Sequence, residues 1–272
     1  PNSKSWQSHI AACVNKMTLE YGVDGVYFDM LSTVNQFCFN KLHNHHFDAA
    51  TDGILKILEQ TRENYKQVKN DNINIMGEWA CDLYGNIVNF QLHQSWMNCL
   101  RGNYPEMYRY TFPNHGIIDM VYPTKNLAMR SPFVSSKAEN FFADTFTNGS
   151  YLWVYDLEED NTFKRDEYGS NILRQIINLS EELVKDYPEY VFVDTDGIKT
   201  YGNGAKITRY VDKKNNSLFR VYRFNDEQTY IEPEFTVNKA TAVYDGGIKE
   251  NLKIENNKIV VPNKKACYII AK

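Results

Sequence analysis

Three short apolar runs, each bounded by a turn residue and each ending on a carboxylate, constrain the chain more than anything else in it. Residues 22–29 read Gly-Val-Asp-Gly-Val-Tyr-Phe-Asp, residues 72–78 carry Ile73, Ile75 and Met76 ahead of Glu78, and residues 151–156 read Tyr-Leu-Trp-Val-Tyr-Asp. A nearly continuous apolar run of this length reads as a strand buried on both faces, as in a parallel sheet. Between the runs lie helical stripes. Residues 5–20 place Trp6, Ile10, Cys13, Val14 and Met17 on one face, and residues 48–69 place Ile54, Leu58, Thr61, Tyr65 and Val68 on another. Ser136 with Glu139 opens a third helix as a capping box, and Gly149 closes it. Residues 169–185 form a fourth, with Ile172, Ile176, Leu179 and Leu183 inward. Residues 83–100 are also expected to be helical, with His93 packed among Phe90, Trp96 and Met97, and residues 104–113 and 116–122 extended.

Strands alternating with helices through about residue 187 spell parallel βα units. From Tyr190 the texture changes to short alternating stretches split by Asn215-Asn216, Asp245-Gly246-Gly247 and Asn256-Asn257, all of them turn chemistry. The expected architecture is therefore α/β. The carboxyl-terminal portion of a (β/α)8-type barrel, about strands 4–8, occupies residues 1–188, and an antiparallel β-sandwich occupies 189–272. A closed barrel needs eight strands, and about five strand–helix units precede the sandwich. The reading is of part of a longer polypeptide, or of a small open-sheet protein.

The chain has 272 residues and a net charge of -4, which argues against a nucleic-acid or anionic-membrane surface. It contains no apolar run long enough to span a bilayer. Five scattered cysteines imply no disulfide framework. It begins at Pro1 with no export pattern, so a secreted or periplasmic destination would need a signal upstream. Aromatics are 14% of the chain, with 19 Tyr and 4 Trp, a supply of rings that suits sugar faces as well as a core.

In a barrel of parallel strands the chemistry sits at the strands' carboxyl ends. Asp29 and Glu78 end consecutive strands and so project into one mouth. Glycosidic bonds are cleaved by such a pair, one carboxylate ionised and the other protonated. The shorter, stiffer Asp29 suits the nucleophile. Glu78, beside Trp79 and after Met76-Gly77, has apolar neighbours of the kind that keep an acid protonated.

These residues carry a resemblance. Gly-Val-Asp-Gly-Val-Tyr-Phe-Asp at 22–29 resembles the fourth-strand nucleophile motif of retaining α-glycosidase barrels of the α-galactosidase-like group. It is closer still to barrels related to the endo-α-N-acetylgalactosaminidases and to bacterial glycoside hydrolases beside them. Cys38, His43 and His45 match that set's loop, Gly77-Glu78 its acid, and residues 110–113 its Tyr-Thr-Phe-Pro segment. Phe142-Ala143-Asp144 and Asn148-Gly149 match its later helix. The resemblance implies Asp29 as nucleophile, Glu78 as acid/base, a closing β-sandwich and a carbohydrate substrate. The chain departs from the set at His46-Phe47-Asp48, where a Pro-Gly-rich continuation is expected, so the loop's shape does not carry over.

Cys38, His43, His45 and His46 have the ligand types of a zinc site, but not one of its tight paired spacings. They are read as lining the sugar pocket or tying the loop together, and no metal or cofactor is expected. Tyr27, Trp79, Tyr110 and Trp153 are the aromatics nearest strand ends, candidates for sugar stacking or for core packing. Asp156 is a candidate for contacting sugar hydroxyls, with Asp119 and Asp82 as further reserve carboxylates. Two other readings stand beside the hydrolase: a non-catalytic carbohydrate-binding protein on a hydrolase scaffold, and a metal-assisted barrel hydrolase. Sugar identity and oligomeric state are not legible.

Overall fold

The computed structural model describes residues 1–30, 37–69, 72–78, 81–93, 105–121, 138–154 and 167–272. Its first half alternates helix and strand: α1 (Lys4–Tyr21), β1 (Gly25–Phe28), α2 (Ala50–Lys69), β2 (Asn74–Glu78), β3 (Phe90–His93), α3 (Pro105–Thr111), β4 (Gly116–Val121), α4 (Ala138–Asn148), β5 (Tyr151–Val154) and α5 (Glu167–Asp186). The five strands make one curled, half-barrel sheet in the order β1-β2-β3-β4-β5. Pairing is parallel where β1 meets β2 and where β2 meets β3. Strand order follows chain order, as right-handed crossovers between parallel strands produce.

Two compact units partition the chain, Pro1–His93 with His115–Ile118 and Gln94–Asn114 with Asp119–Lys272. In the first, α1 and α2 pack on each other and on one face of the sheet. Val14, Ile54, Leu58 and Tyr65 come from the helices, and Ile73 and Ile75 from β2 and its approach, with Val26 and Phe28 of β1 against them. Burial of each such side chain contributes about 1.5–3 kcal/mol. The α2 stripe is as the periodicity predicts at Ile54, Leu58, Thr61 and Tyr65, whereas Val68 is exposed.

The second unit is organised by a six-stranded antiparallel sheet. The remaining strands are β6 (Val191–Phe192), β7 (Ile198–Tyr201), β8 (Ala205–Val211), β9 (Ser217–Arg223), β10 (Tyr230–Pro233), β11 (Ala240–Tyr244), β12 (Ile248–Asn251), β13 (Ile254–Glu255), β14 (Lys258–Val260) and β15 (Ala266–Ala271). They form a sheet ordered β12-β11-β15-β9-β8-β6 and a four-stranded one ordered β13-β14-β10-β7. Every residue of β9 is buried, because both faces of its sheet are covered. Phe219 and Val221 join Ile231 and Ile259 of the smaller sheet in one cluster, while Leu218 and Tyr222 face Phe142, Phe146, Ile176 and Leu179 of α4 and α5.

The α4 end shows why its sequence is as it is. Phe142 and Ala143 are fully buried, and Asp144 pairs with Lys206 at 2.6 Å. The last carbonyls of a helix lack intrahelical partners and carry the negative end of its dipole. Here Thr208 Oγ1 and Tyr210 OH donate to Thr147 O at 2.5 and 2.7 Å, and the buried Arg220 guanidinium donates to Phe146 O at 3.2 Å. Gly149, at φ +68°, turns the chain out, with its N–H on Phe146 O and the Ser150 N–H on Thr145 O. Hairpin signals also hold. Asn256 and Asn257, both at positive φ, make the two-residue turn between β13 and β14.

Four expectations are corrected. The α1 face that is buried carries Gln7, Ala11, Val14 and Thr18, and Trp6 and Met17 point outward at 50% and 38% exposure. The segment expected as one helix from 83 begins instead with a single 3-10 turn at Asp82–Tyr84 and continues as β3, so His93 ends a strand. The period-two alternation of Val88, Phe90 and Leu92 against Asn89 and Gln91 outweighs the helical stripe. The stretch around Tyr110 is helix α3, opened by Pro105 at its first position, where the missing N–H costs nothing. β1 is half-buried rather than sealed on both faces, as befits the first strand in the sheet order. Ser136 lies outside the described residues.

Gly149→Ala should lower unfolding stability by about 1–2 kcal/mol from the left-handed backbone alone. The added Cβ would also stand 2.6 Å from Tyr210 OH. Urea denaturation followed by tyrosine and tryptophan fluorescence checks this, and an unchanged midpoint would contradict it.

Candidate active site

The register of β1 on β2 pairs Gly25 with Asn74, Val26 with Ile75, Tyr27 with Met76 and Phe28 with Gly77. The pairing ends there: Asp29 lies in the turn just past β1, and Glu78 is the last residue of β2. Side chains alternate across a strand, and in-register residues of parallel neighbours share a face. Val26, Phe28 and Ile75 belong to the helix-packed face. Tyr27, Met76 and Glu78 therefore lie on the other one. The register of β2 on β3 adds Phe90 and Leu92 beside Met76 and Glu78.

The hydrogen bonds agree with this alternation. Tyr27 OH donates to Asp29 Oδ1 at 3.2 Å, two residues along the chain. The Met30 N–H donates to Glu78 Oε2 at 2.6 Å, tying the residue after Asp29 to the end of the neighbouring strand. Met30 holds φ +56°, a left-handed backbone that a side-chain-bearing residue adopts at a cost. That turn aims its N–H at Glu78. Glu78 is 7% exposed, flanked by the fully buried Leu92, whereas Asp29 is exposed. Burial, then the negative charges of Glu78 and Asp29, then the hydrogen bond to Asp29 all push the Tyr27 hydroxyl well above its ordinary pKa. It stays protonated and a donor at any physiological pH.

The backbone after Glu78 is held by Gln91. Its amide oxygen accepts the Cys81 N–H at 2.7 Å and its amide nitrogen donates to Cys81 O at 2.8 Å, a two-point clamp on a side chain 2% exposed. Asn89 does the same work one pair earlier, exchanging bonds with the Ile75 backbone and receiving Arg62 Nη2 at 2.8 Å.

Sequence reasoning names Asp29, Glu78 and Tyr27, and the structure brings all three together. It misses Gln91, hidden by the helical reading of 83–100, though the alternation around it was the available signal. Met30 carries no signal, since nothing in a methionine announces a left-handed backbone. Tyr110 does not lie near a strand end. It is half exposed on α3 and lines an open hollow of about 790 Å³ with Met107, Asp194, Thr195, Lys206 and Thr208, a lining that includes neither acid. Trp153 is half-buried in β5, Asp119 is buried in β4 and Asp82 is exposed. Trp79 and Asp156 lie outside the described residues.

On the loop after β1, Cys38 Sγ stands 3.2 Å from His43 Nδ1, and ligand atoms of Cys38, His43 and His45 lie within 4.8 Å of one another. His45 Nδ1 is 2.7 Å from His46 O, and His46 pairs with Asp48. These are the residues among those described that could hold a metal ion.

The profile of a family described as a domain of unknown function (DUF6259) matches residues 1–109. No curated protein matches the chain. Among solved structures, a noncanonic maltogenic α-amylase from Thermotoga neapolitana is similar over 99% of this chain at a TM-score of 0.63 and 11% identity. An α-amylase from Anoxybacillus is similar over 97% at 0.58 and 12%, and Amy13B from Eubacterium rectale over 99% at 0.53 and 11%. This chain spans 66%, 62% and 63% of those three, less than two thirds of each. Identities this low establish a shared fold: a curled parallel sheet with antiparallel sheets after it.

Met30→Gly should leave the protein equally stable or stabilise it by up to about 1 kcal/mol. Glycine relieves the roughly 1–2 kcal/mol of left-handed strain and costs about 0.5–1 kcal/mol in unfolded-chain entropy. Thermal unfolding checks it, and a loss of more than about 1 kcal/mol would show that the side chain, not the backbone, holds the turn.

Proposed function

We propose that the chain is the catalytic part of a retaining glycoside hydrolase acting on an α-linked sugar, with Asp29 as nucleophile and Glu78 as acid/base. Residues 1–188 would be the barrel portion and 189–272 the β-sandwich that follows it. The observation that supports the reading is the set of contacts at the two neighbouring strand ends: Tyr27 OH donates to Asp29, the Met30 N–H donates to Glu78, and Tyr27 feels the charge of both acids. Support also comes from the α-amylases among the similar structures, whose chemistry is glycosidic.

In this mechanism the exposed Asp29 carboxylate attacks the anomeric carbon. The glycosidic C–O bond breaks as Glu78 passes its proton to the departing oxygen. A glycosyl ester on Asp29 results. Glu78, now a carboxylate, removes a proton from water, which displaces Asp29 and restores the original anomeric configuration. Tyr27, a permanent donor to Asp29 Oδ1, orients the nucleophile's carboxylate and leaves Oδ2 for the attack. The Met30 N–H does the corresponding service for Glu78. Within the sequence reading, His43 and His45 would contact sugar hydroxyls, and Tyr27, Trp79, Tyr110 and Trp153 would offer ring faces. The α-galactosidase-like relationship remains the finer form of this proposal.

A panel of α- and β-nitrophenyl glycosides and natural disaccharides tests it. Asp29→Asn should lower kcat by about 10,000-fold or more on every substrate, because an amide cannot attack. Glu78→Gln should cost about 100- to 10,000-fold on natural leaving groups and far less on nitrophenyl ones, which depart without protonation. Equal losses on both substrate kinds would contradict the assignment of Glu78.

A further inference from the structure

The reaction proposed above makes no use of the thiol of Cys38, and hydrogen bonding to a sugar does not call for one. Yet this thiol is where two imidazoles converge. We propose that Cys38, His43 and His45 form a binding site for one zinc-class ion, with a thiolate and two imidazoles as ligands and a fourth position open to water.

The geometry is close to what such an ion needs. Bonds of ~2.3 Å to sulfur and ~2.0–2.1 Å to nitrogen in a tetrahedral arrangement put ligand atoms about 3.3–3.6 Å apart. The Cys38 Sγ to His43 Nδ1 spacing of 3.2 Å is already at that scale, and all three ligand atoms fall within 4.8 Å. The tautomer of His45 is suitable too. A backbone carbonyl only accepts, so His45 Nδ1 at 2.7 Å from His46 O carries the proton and its Nε2 keeps a lone pair. This pairing of a ligating ring with a carbonyl on its far nitrogen is the usual outer support of a metal-bound histidine. The far nitrogen of His43 faces the Asn40 side-chain nitrogen at 3.2 Å, and Asn40 Oδ1 accepts the Leu42 N–H at 2.9 Å, so ligation through His43 Nδ1 requires the Asn40 amide to turn and accept from the ring.

The loop also has use for an ion. Its base is closed by the Cys38 N–H on Phe47 O at 2.8 Å. Otherwise it buries little: Phe37, Phe39 and Leu42 are exposed. A segment with so little apolar burial has small stability of its own, and a bound ion supplies what a core does not. Thiolate with imidazole suits zinc and its transition-metal neighbours, not the oxygen-seeking magnesium and calcium ions. Other thiols offer less. Cys267 is fully buried, and burial pushes its thiol up to about 12. Cys13 has a single imidazole near it, His9 at 3.6 Å.

The site does not rest on the Asp29 and Glu78 assignments, although it gives His43 and His45 to the ion rather than to sugar hydroxyls, and its test needs no substrate. Protein freed of metal with a chelator is titrated with cobalt(II), then with zinc(II), alongside Cys38→Ser, His45→Ala and a His9→Ala/Cys13→Ser double variant, each checked by circular dichroism. The proposal predicts one cobalt per chain, with intense tetrahedral visible bands and a thiolate-to-cobalt charge-transfer band, both bleached by zinc. Cys38→Ser should abolish the charge-transfer band, and His45→Ala should weaken binding at least about tenfold. The double variant should bind as the parent does. Absence of the charge-transfer band, its survival in Cys38→Ser, or its loss in the double variant would overturn the proposal. Should Cys38→Ser misfold, His45→Ala decides: unchanged affinity there overturns it equally.

Discussion

The parallel pairing of β1 on β2 is the constraint from which the candidate site follows. Because side chains alternate with a period of two, the register that packs Val26, Phe28 and Ile75 under α1 and α2 also turns Tyr27, Met76 and Glu78 to the opposite face, and Tyr27 reaches Asp29 in the turn that follows. A slip of one residue would exchange the faces entirely, presenting apolar rings where the acids stand. Core and candidate site are thus set by one choice. The apolar cluster makes the register energetically unambiguous, and the acids take their positions as its consequence.

What surrounds the acids is devoted to holding them. Tyr27 is kept a donor by burial and by the two charges it faces. The strained turn at Met30 delivers an N–H to Glu78. Gln91 clamps the backbone three residues beyond Glu78 from both sides. Each interaction is modest, on the order of 1 kcal/mol net for a hydrogen bond. Their effect is positional: two carboxyl groups at the ends of flexible side chains do concerted chemistry only if neither is free to wander. In the second unit the same economy appears in structural form, where Thr208, Tyr210 and Arg220 complete the carboxyl end of α4 and so lock helix to sheet.

Much of this was legible in the sequence for identifiable reasons. The strands before Asp29 and through Glu78, the α2 stripe and the turns at Asn256-Asn257 and Gly246-Gly247 all rest on short-range periodicity or on backbone conformations that few residues accept. The misreadings fall where local signals compete. Residues 88–92 satisfy both a helical and an alternating pattern, and only pairing with β2 decides between them. In α1 the large residues Trp6 and Met17 suggested the buried face, but the buried positions are Gln7, Ala11, Val14 and Thr18. The convergence of Cys38, His43 and His45 depends on the loop's path, which irregular spacing does not encode.

The central claim is that Asp29, and not its partner, bonds covalently to the sugar. It is tested most directly by incubating the protein with 5-fluoro α-glycosyl fluorides of a panel of sugars, digesting it and locating the label by peptide mass spectrometry. The account predicts a single glycosyl ester, formed with loss of activity, on Asp29. A label on Glu78 or on any other carboxylate, or turnover that inverts the anomeric centre with no ester formed, would contradict it.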